Sequence, residues 1–142
     1  GYKDTSSSDA VYMLDWYAYG IGKVPAKVAT TYQNISDAWS LLIDQKWHDR
    51  ITAIKANDGG LSYVEFFEYR KNKMSIPLFN IYCATGSNRE YYAERTDLIQ
   101  LGQTTQAIYF AKLTNEGEQS ELALTGDEIK ARFSLVNQAW NN

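Results

Sequence analysis

RITAIKANDGGLSYVEFFEYR, residues 50–70, decides how this chain is read. Arg50 to Ala56 places apolar residues at Ile51 and Ala53 with an offset Ile54, then breaks at Asn57-Asp58-Gly59-Gly60. Asp and Gly tolerate the positive φ of tight hairpin turns, so this tetrapeptide predicts two strands folded back on each other. Leu61 to Arg70 then alternates. Tyr63, Glu65, Phe67 and Tyr69 share one face, and Ser62, Val64, Phe66 and Glu68 share the other, with Val64 and Phe66 directed at the core.

The pattern extends in both directions. Lys71-Asn72-Lys73 reads as a turn, and Ile76 to Thr85 alternates in both registers, as a strand covered on two faces does. The three strands make a β-meander. Upstream, Lys23 to Gln33 sets Val24, Val28, Thr30 and Tyr32 at even spacing, with Pro25 near the start where a missing N–H does least harm. Ala38 to Ile43 is apolar and too short for periodicity to choose between a strand and a turn of helix running toward Trp47. Val11 to Tyr19 is ambiguous too. Val11, Leu14 and Ala18 make a helical stripe that predicts a short helix from an Asp9 cap, broken at Gly20 and Gly22.

Downstream, Ser87 and Glu90 predict a capping box for a helix over Asn88–Arg95. Asp97–Leu101 and Thr105–Leu113 read as a hairpin around Gly102, and Asn115–Ser120 as a polar loop. Thr125 and Glu128 form a second capping box. Ile129, Phe133, Val136 and Trp140 follow on one apolar stripe, which predicts a helix from Thr125 to Trp140 lying across the sheet. Burying those four side chains contributes on the order of 6–10 kcal/mol before entropy is subtracted.

The expected class is therefore α+β: an antiparallel sheet of roughly five to seven strands, largely a meander, packed against a C-terminal amphipathic helix, with short additional helices. Residues 1–9 read as a flexible Ser/Asp-rich tether and 10–142 as one domain, since 142 residues suffice for a single core. The opening Gly-Tyr-Lys-Asp-Thr-Ser-Ser-Ser-Asp lacks Met. It suggests a processed end left by a removed signal peptide, with an N-terminal lipid anchor upstream, the alternative being a trimmed cytosolic protein.

The net charge of −3 and the absence of a long basic run remove the electrostatic warrant for nucleic-acid binding. No stretch approaches the ~20 apolar residues that span a membrane. With eleven Tyr, four Trp and five Phe the chain is rich in rings, which suit strands and also suit surfaces that bind something.

The order of features resembles a group of small bacterial lipoprotein domains with the Mog1/PsbP-like α/β sandwich. Trp39-Ser40-Leu41-Leu42-Ile43 followed by Lys46-Trp47 is similar to the opening of that group. Ile76-Pro77-Leu78-Phe79-Asn80-Ile81-Tyr82 is similar to its central strand, and Leu101-Gly102 with Gln106-Ala107-Ile108-Tyr109-Phe110 to its hairpin. The Asp127 to Trp140 segment takes the closing helix's place. The resemblance covers residues 38–140. Asp44-Gln45 departs from the Pro with an acidic or polar neighbour usual there, and residues 10–33 fall outside the pattern. The resemblance transfers no catalytic residues and implies a role in binding or assembly.

Chemistry-bearing residues are sparse. His48 lies in Lys46-Trp47-His48-Asp49-Arg50, near Asp44, but it is the single His, and zinc needs three or four suitable ligands. Glu65 and Glu68 point to opposite strand faces and cannot work as a glycosidase pair across one bond. The lone Cys83 sits in an apolar strand, where a thiol acts as a small hydrophobe. Gly20-x-Gly22 lacks the third Gly of a dinucleotide loop. Asn34-Ile35-Ser36 matches a glycosylation sequon that would carry nothing in a bacterial protein. Trp16, Tyr17 and Tyr19 are the candidates for an exposed aromatic platform, the alternative being that they pack onto the sheet. Tyr91 and Tyr92 are expected to split, one packed and one facing solvent.

The reading is a non-enzymatic extracytoplasmic binding or assembly domain of a secreted or lipid-anchored bacterial protein. It has no catalytic residue, metal or cofactor, and its partner is a protein or a glycan. The alternatives are a carbohydrate-binding module using Trp16, Tyr17 and Tyr19, and a small hydrolase built around Glu65 and His48.

Overall fold

The computed structural model describes residues 12–18 and 26–136, and among them the alternating segments form nine strands in two antiparallel sheets. β1 (Tyr12–Ala18), β2 (Ala26–Asn34), β3 (Trp39–Leu42) and β9 (Phe133–Leu135) make one sheet in the order β1-β2-β3-β9. β4 (Ile51–Asp58), β5 (Leu61–Glu68), β6 (Ile76–Thr85), β7 (Ile99–Gln103) and β8 (Ala107–Leu113) make the other, in the order β4-β5-β6-β8-β7. The meander is β4-β5-β6. Its first turn is the expected one, with Asp58 opposite Leu61 and Gly59 at a φ of 63° that a side chain would strain.

The sheets face each other across the core. Tyr32, Trp39 and Leu41 enter it from the four-stranded sheet, and Val64, Phe66, Phe79 and Ile81 from the five-stranded one, all of them buried. Tyr32 meets Phe66 edge-on with ring centroids 5.4 Å apart, and Phe66 stacks on Phe79 at 4.9 Å. The corner between β3 and β4 is a 3-10 turn, Gln45–Trp47, capped by the Asp44 carboxylate accepting from the Lys46 N–H. It drops Trp47 beside Phe66 and Phe79, and the buried indole N–H donates to the Leu122 carbonyl at 2.7 Å. That bond satisfies the one polar atom of an otherwise apolar ring.

Several expectations are corrected here. A single sheet of five to seven strands is replaced by two sheets, because β1, β2, β3 and β9 pair among themselves while β8 and β7 extend the meander beyond β6. Residues 12–18 are strand β1, not helix. Tyr12-Met13-Leu14-Asp15-Trp16-Tyr17 suits an extended chain, and β2 offers a full row of backbone partners from Gln33 to Ala26. The Asp9 cap lies outside the described residues. Of the two readings left open for 38–43, residues 39–42 take the strand.

No Ser87 cap forms. α1 (Glu90–Ala93) starts after Arg89, which makes no side-chain cap bond. The β7–β8 turn falls at 104–106, where the Thr104 hydroxyl accepts from the N–H groups of Gln106 and Ala107, and Gly102 sits inside β7 beside a bulge. Asn115 to Glu118 is a helical turn, α2, capped by the Thr114 hydroxyl. Gly117 is required there, because a Cβ would stand 2.1 Å from the Leu78 carbonyl oxygen.

The Thr125–Glu128 capping box forms with both of its bonds, at 2.9 and 3.1 Å, and starts α3 (Gly126–Arg132). The helix stops there instead of running to Trp140. Phe133 turns extended, stacks on Trp39 and leads into β9, which supplies the β3 edge with a partner. Filling that edge outweighs continuing an amphipathic stripe of which only Ile129 lies in the core as helix. Trp140 lies outside the described residues.

Candidate binding face

The five-stranded sheet has a second face, directed away from the core, and register arranges it in rows. Ala56, Tyr63, Tyr82, Phe110 and Gln100 stand opposite one another across β4, β5, β6, β8 and β7. The adjacent row is Ile54, Glu65, Asn80 and Lys112. One row is aromatic and the other runs apolar, acidic, amide, basic.

The aromatic row is continuous along its length, with Tyr63 tilted against Tyr82 and the rings from Tyr82 to Tyr92 stacked. Tyr63 and Tyr82 have centroids 5.0 Å apart, Tyr82 and Phe110 4.9 Å, and Phe110 and Tyr92 of α1 5.2 Å. The first two separations follow the ~4.8 Å strand spacing, so Tyr63, Tyr82 and Phe110 each lean on the ring of the next strand, and the third is made by the helix α1. Tyr91 then meets Tyr92 edge-on at 5.5 Å and ends the row in solvent, 65% exposed. Phe110 is buried beneath Tyr92, in a small second core with Ala84, Leu98 and Ile108. Tyr63 and Tyr82 are half-buried.

Polar contacts hold the row in place. The Asn80 side-chain N–H donates to the Tyr82 hydroxyl at 3.0 Å. Gln100 donates to the Tyr92 carbonyl at 3.2 Å, and Arg89 donates to the carbonyls of Gly86 and Thr105, which ties α1 down over β8. Partial burial, with Glu65 as the next cause, raises the Tyr63 phenol above its ordinary value, so it stays a neutral hydroxyl donor near pH 7.

The expected platform does not assemble as a group among the described residues. Trp16 is in β1 but its side chain lies outside them, as does all of Tyr19. Tyr17 is described and 49% exposed, on the β1 face that carries Met13 and Asp15. Tyr91 and Tyr92 do split, the first exposed and the second packed on Phe110. The alternation of β5 separated Tyr63, Glu65 and Phe67 from the core-facing Val64 and Phe66. The partners across the strands, Tyr82 and Phe110, went unread because both also fit a strand covered on two sides.

His48 is exposed and contacts Asp49 at 3.2 Å. Glu65 lies three rungs into the β4–β5 ladder from the corner that bears His48, with Ile54 and Asn80 as its neighbours, so the two make no acid–base pair. No group of three or more His, Cys, Asp or Glu among the described residues is placed to hold a metal ion. Cys83 is buried beside Tyr109, and burial, with Asp37 as a smaller cause, pushes its thiol up to about 11, which suits packing and not nucleophilic attack. Asn34 of the sequon is buried, its side-chain oxygen accepting from Ser36 and from the Asp37 N–H.

Among the described residues no helix is long and apolar enough to cross a membrane. No family model matches the chain, and no curated protein or solved structure matches it.

Proposed function

We propose that this chain is a non-enzymatic binding or assembly domain of a secreted or lipid-anchored bacterial protein, acting outside the cytoplasm, and that the outer face of its five-stranded sheet is the contact surface. The observation that carries the reading is the aromatic row Tyr63-Tyr82-Phe110-Tyr92, half-open to solvent beside Glu65, Asn80 and Lys112. Rings fixed by their neighbours lose little entropy when a partner covers them, and a mixed polar row beside them sets register. The likeness to the Mog1/PsbP-like lipoprotein domains supports the setting. We describe the domain as α+β in the same sense, with α3 as the closing helix.

Stacking also selects the kind of partner. Neighbouring rings of the row cover part of one another's faces, most of all at Phe110, which stacks on both Tyr82 and Tyr92. A pyranose ring stacks on an open aromatic face, whereas a protein surface accepts edges and hydroxyls. A protein partner is therefore preferred. The glycan reading retains one specific support, the 65% exposure of Tyr91 at the end of the row.

The test is capture from an extracytoplasmic extract with the wild-type chain, the double variant Tyr63→Ser/Tyr82→Ser, and Tyr17→Ser as control. A protein retained by wild type and the control but lost with the double variant is expected. Equal capture by all three overturns the reading. Amide shifts confined to the surroundings of Tyr91 on titration with soluble glycans would favour the second reading instead.

A further inference from the structure

β4 is an outer strand of the five-stranded sheet, and among the described residues it pairs with β5 alone. The Tyr69 N–H donates to the Arg50 carbonyl at 2.8 Å, which fixes the phase of that ladder. In an antiparallel pair hydrogen-bonded positions alternate, so Arg50, Thr52, Ile54, Ala56 and Asp58 direct their backbone groups to β5. Ile51, Ala53, Lys55 and Asn57 direct theirs to the open side. Natural proteins rarely leave so long an edge bare unless something uses it.

We propose that β4 pairs antiparallel with β4 of a second copy of this chain, with Ile54 facing its own symmetry mate on the two-fold axis. Phase and charge select this register over its neighbours. Setting Ile54 against Ile54 places Ile51 opposite Asn57 and Ala53 opposite Lys55, so residues with outward backbone groups meet each other, as a ladder requires. It also places Arg50, whose guanidinium already contacts Glu121 of its own chain, opposite Asp58 of the mate, once at each end of the paired strands, with no like charges facing. Sliding one step one way sets Lys55 against Lys55. Sliding the other way sets Asp58 against the mate's His48 and separates Arg50 from Asp58.

The side chains agree with this placement. Ile54 is 37% exposed on an outer strand, an apolar residue at the centre of the proposed pair. Lys55 donates to the Ser36 hydroxyl of its own chain at 3.1 Å, which gives its ammonium a partner outside the proposed strand pair. The interface is isologous, and it joins two outer faces into one continuous sheet surface. The inference uses the edge of the sheet and not its face, so it stands or falls separately from the partner proposed above.

The test is sedimentation of the 142-residue chain across about 10–500 µM with Ile54→Lys and Ile54→Glu, each alone and mixed in equal amounts. The wild type is expected to dimerise within that range. Each variant alone places like charges on the axis and remains monomeric, and the mixture, which sets Lys against Glu, dimerises again. Asp58→Arg, at the exposed end of β4, weakens self-association roughly tenfold through its two symmetric contacts. A wild type that is monomeric throughout overturns the proposal. So does a dimer indifferent to Ile54→Lys, or a mixture that stays monomeric although circular dichroism shows both variants folded.

Discussion

Glu68 is a buried carboxylate with two partners: the Ser120 hydroxyl donates to it at 2.6 Å and the Arg70 guanidinium contacts it at 3.2 Å. The Ser120 bond, then those from Arg70, hold its acid below the usual carboxylate range against the opposing effect of burial. A depressed folded value contributes stability above the unfolded value of about 4.3, and that contribution is lost as pH falls through the folded one. Glu68→Gln should therefore cost about 1–2 kcal/mol at pH 7 in urea unfolding, with the gap to wild type narrowing as pH falls below the ordinary carboxylate value. A gap independent of pH would mean that the charge is not what Ser120 and Arg70 recognise. At this scale the inward residues of β5 were legible, since Val64 and Phe66 follow from alternation alone. The role of Glu68 was not, because Ser120 reaches it from a distant part of the chain.

At the scale of elements, local chemistry was readable and long-range pairing was not. The Asn57–Gly60 hairpin and the Thr125–Glu128 capping box are written in a few adjacent residues, and both form. β9 has no such signature. Phe133, Ser134 and Leu135 become a strand because Leu41, Ser40 and Trp39 lie opposite them. β1 likewise depends on β2 for its state. Two substitutions separate the contributions at this end of the chain. Thr125→Ala removes a cap that starts α3 and should cost about 1 kcal/mol. Phe133→Ala removes the ring that stacks on Trp39 at 5.7 Å and touches Tyr109 at 5.6 Å, and should cost about 2–4 kcal/mol. If denaturant midpoints show the two equal, β9 is not anchored by that ring. The outer face of the five-stranded sheet was half legible: β5 declared its outer residues, while the row across β6 and β8 exists only through register.

Across the whole molecule the two sheets depend on one shared core, and the loops at one end bind them together. The Arg132 guanidinium meets the Asp44 carboxylate at 2.8 Å, the Lys46 ammonium donates to the Ala123 carbonyl at 2.9 Å, and Arg50 pairs with Glu121. At the other end the Tyr109 hydroxyl donates to the Asp37 carbonyl at 2.6 Å and Ser62 donates to the Asp37 carboxylate. Each of these contacts joins segments far apart in the chain, so parting the sheets disturbs both ends.

Cys83 lies at the second of those ends, on β6 in register with Ser62 of β5 and Tyr109 of β8. That position makes the thiol a clock. A disulfide reagent at pH 8 can reach it only while the sandwich is open, and the interval between openings sets the labelling time. Modification of the folded chain should be at least about a hundredfold slower than that of a small free thiol, and should quicken with added urea in step with loss of stability. Labelling at the speed of a free thiol would mean that the sheets breathe apart freely. In a protein with one cysteine, the rate of a single colour change would then time the motion of its entire interior.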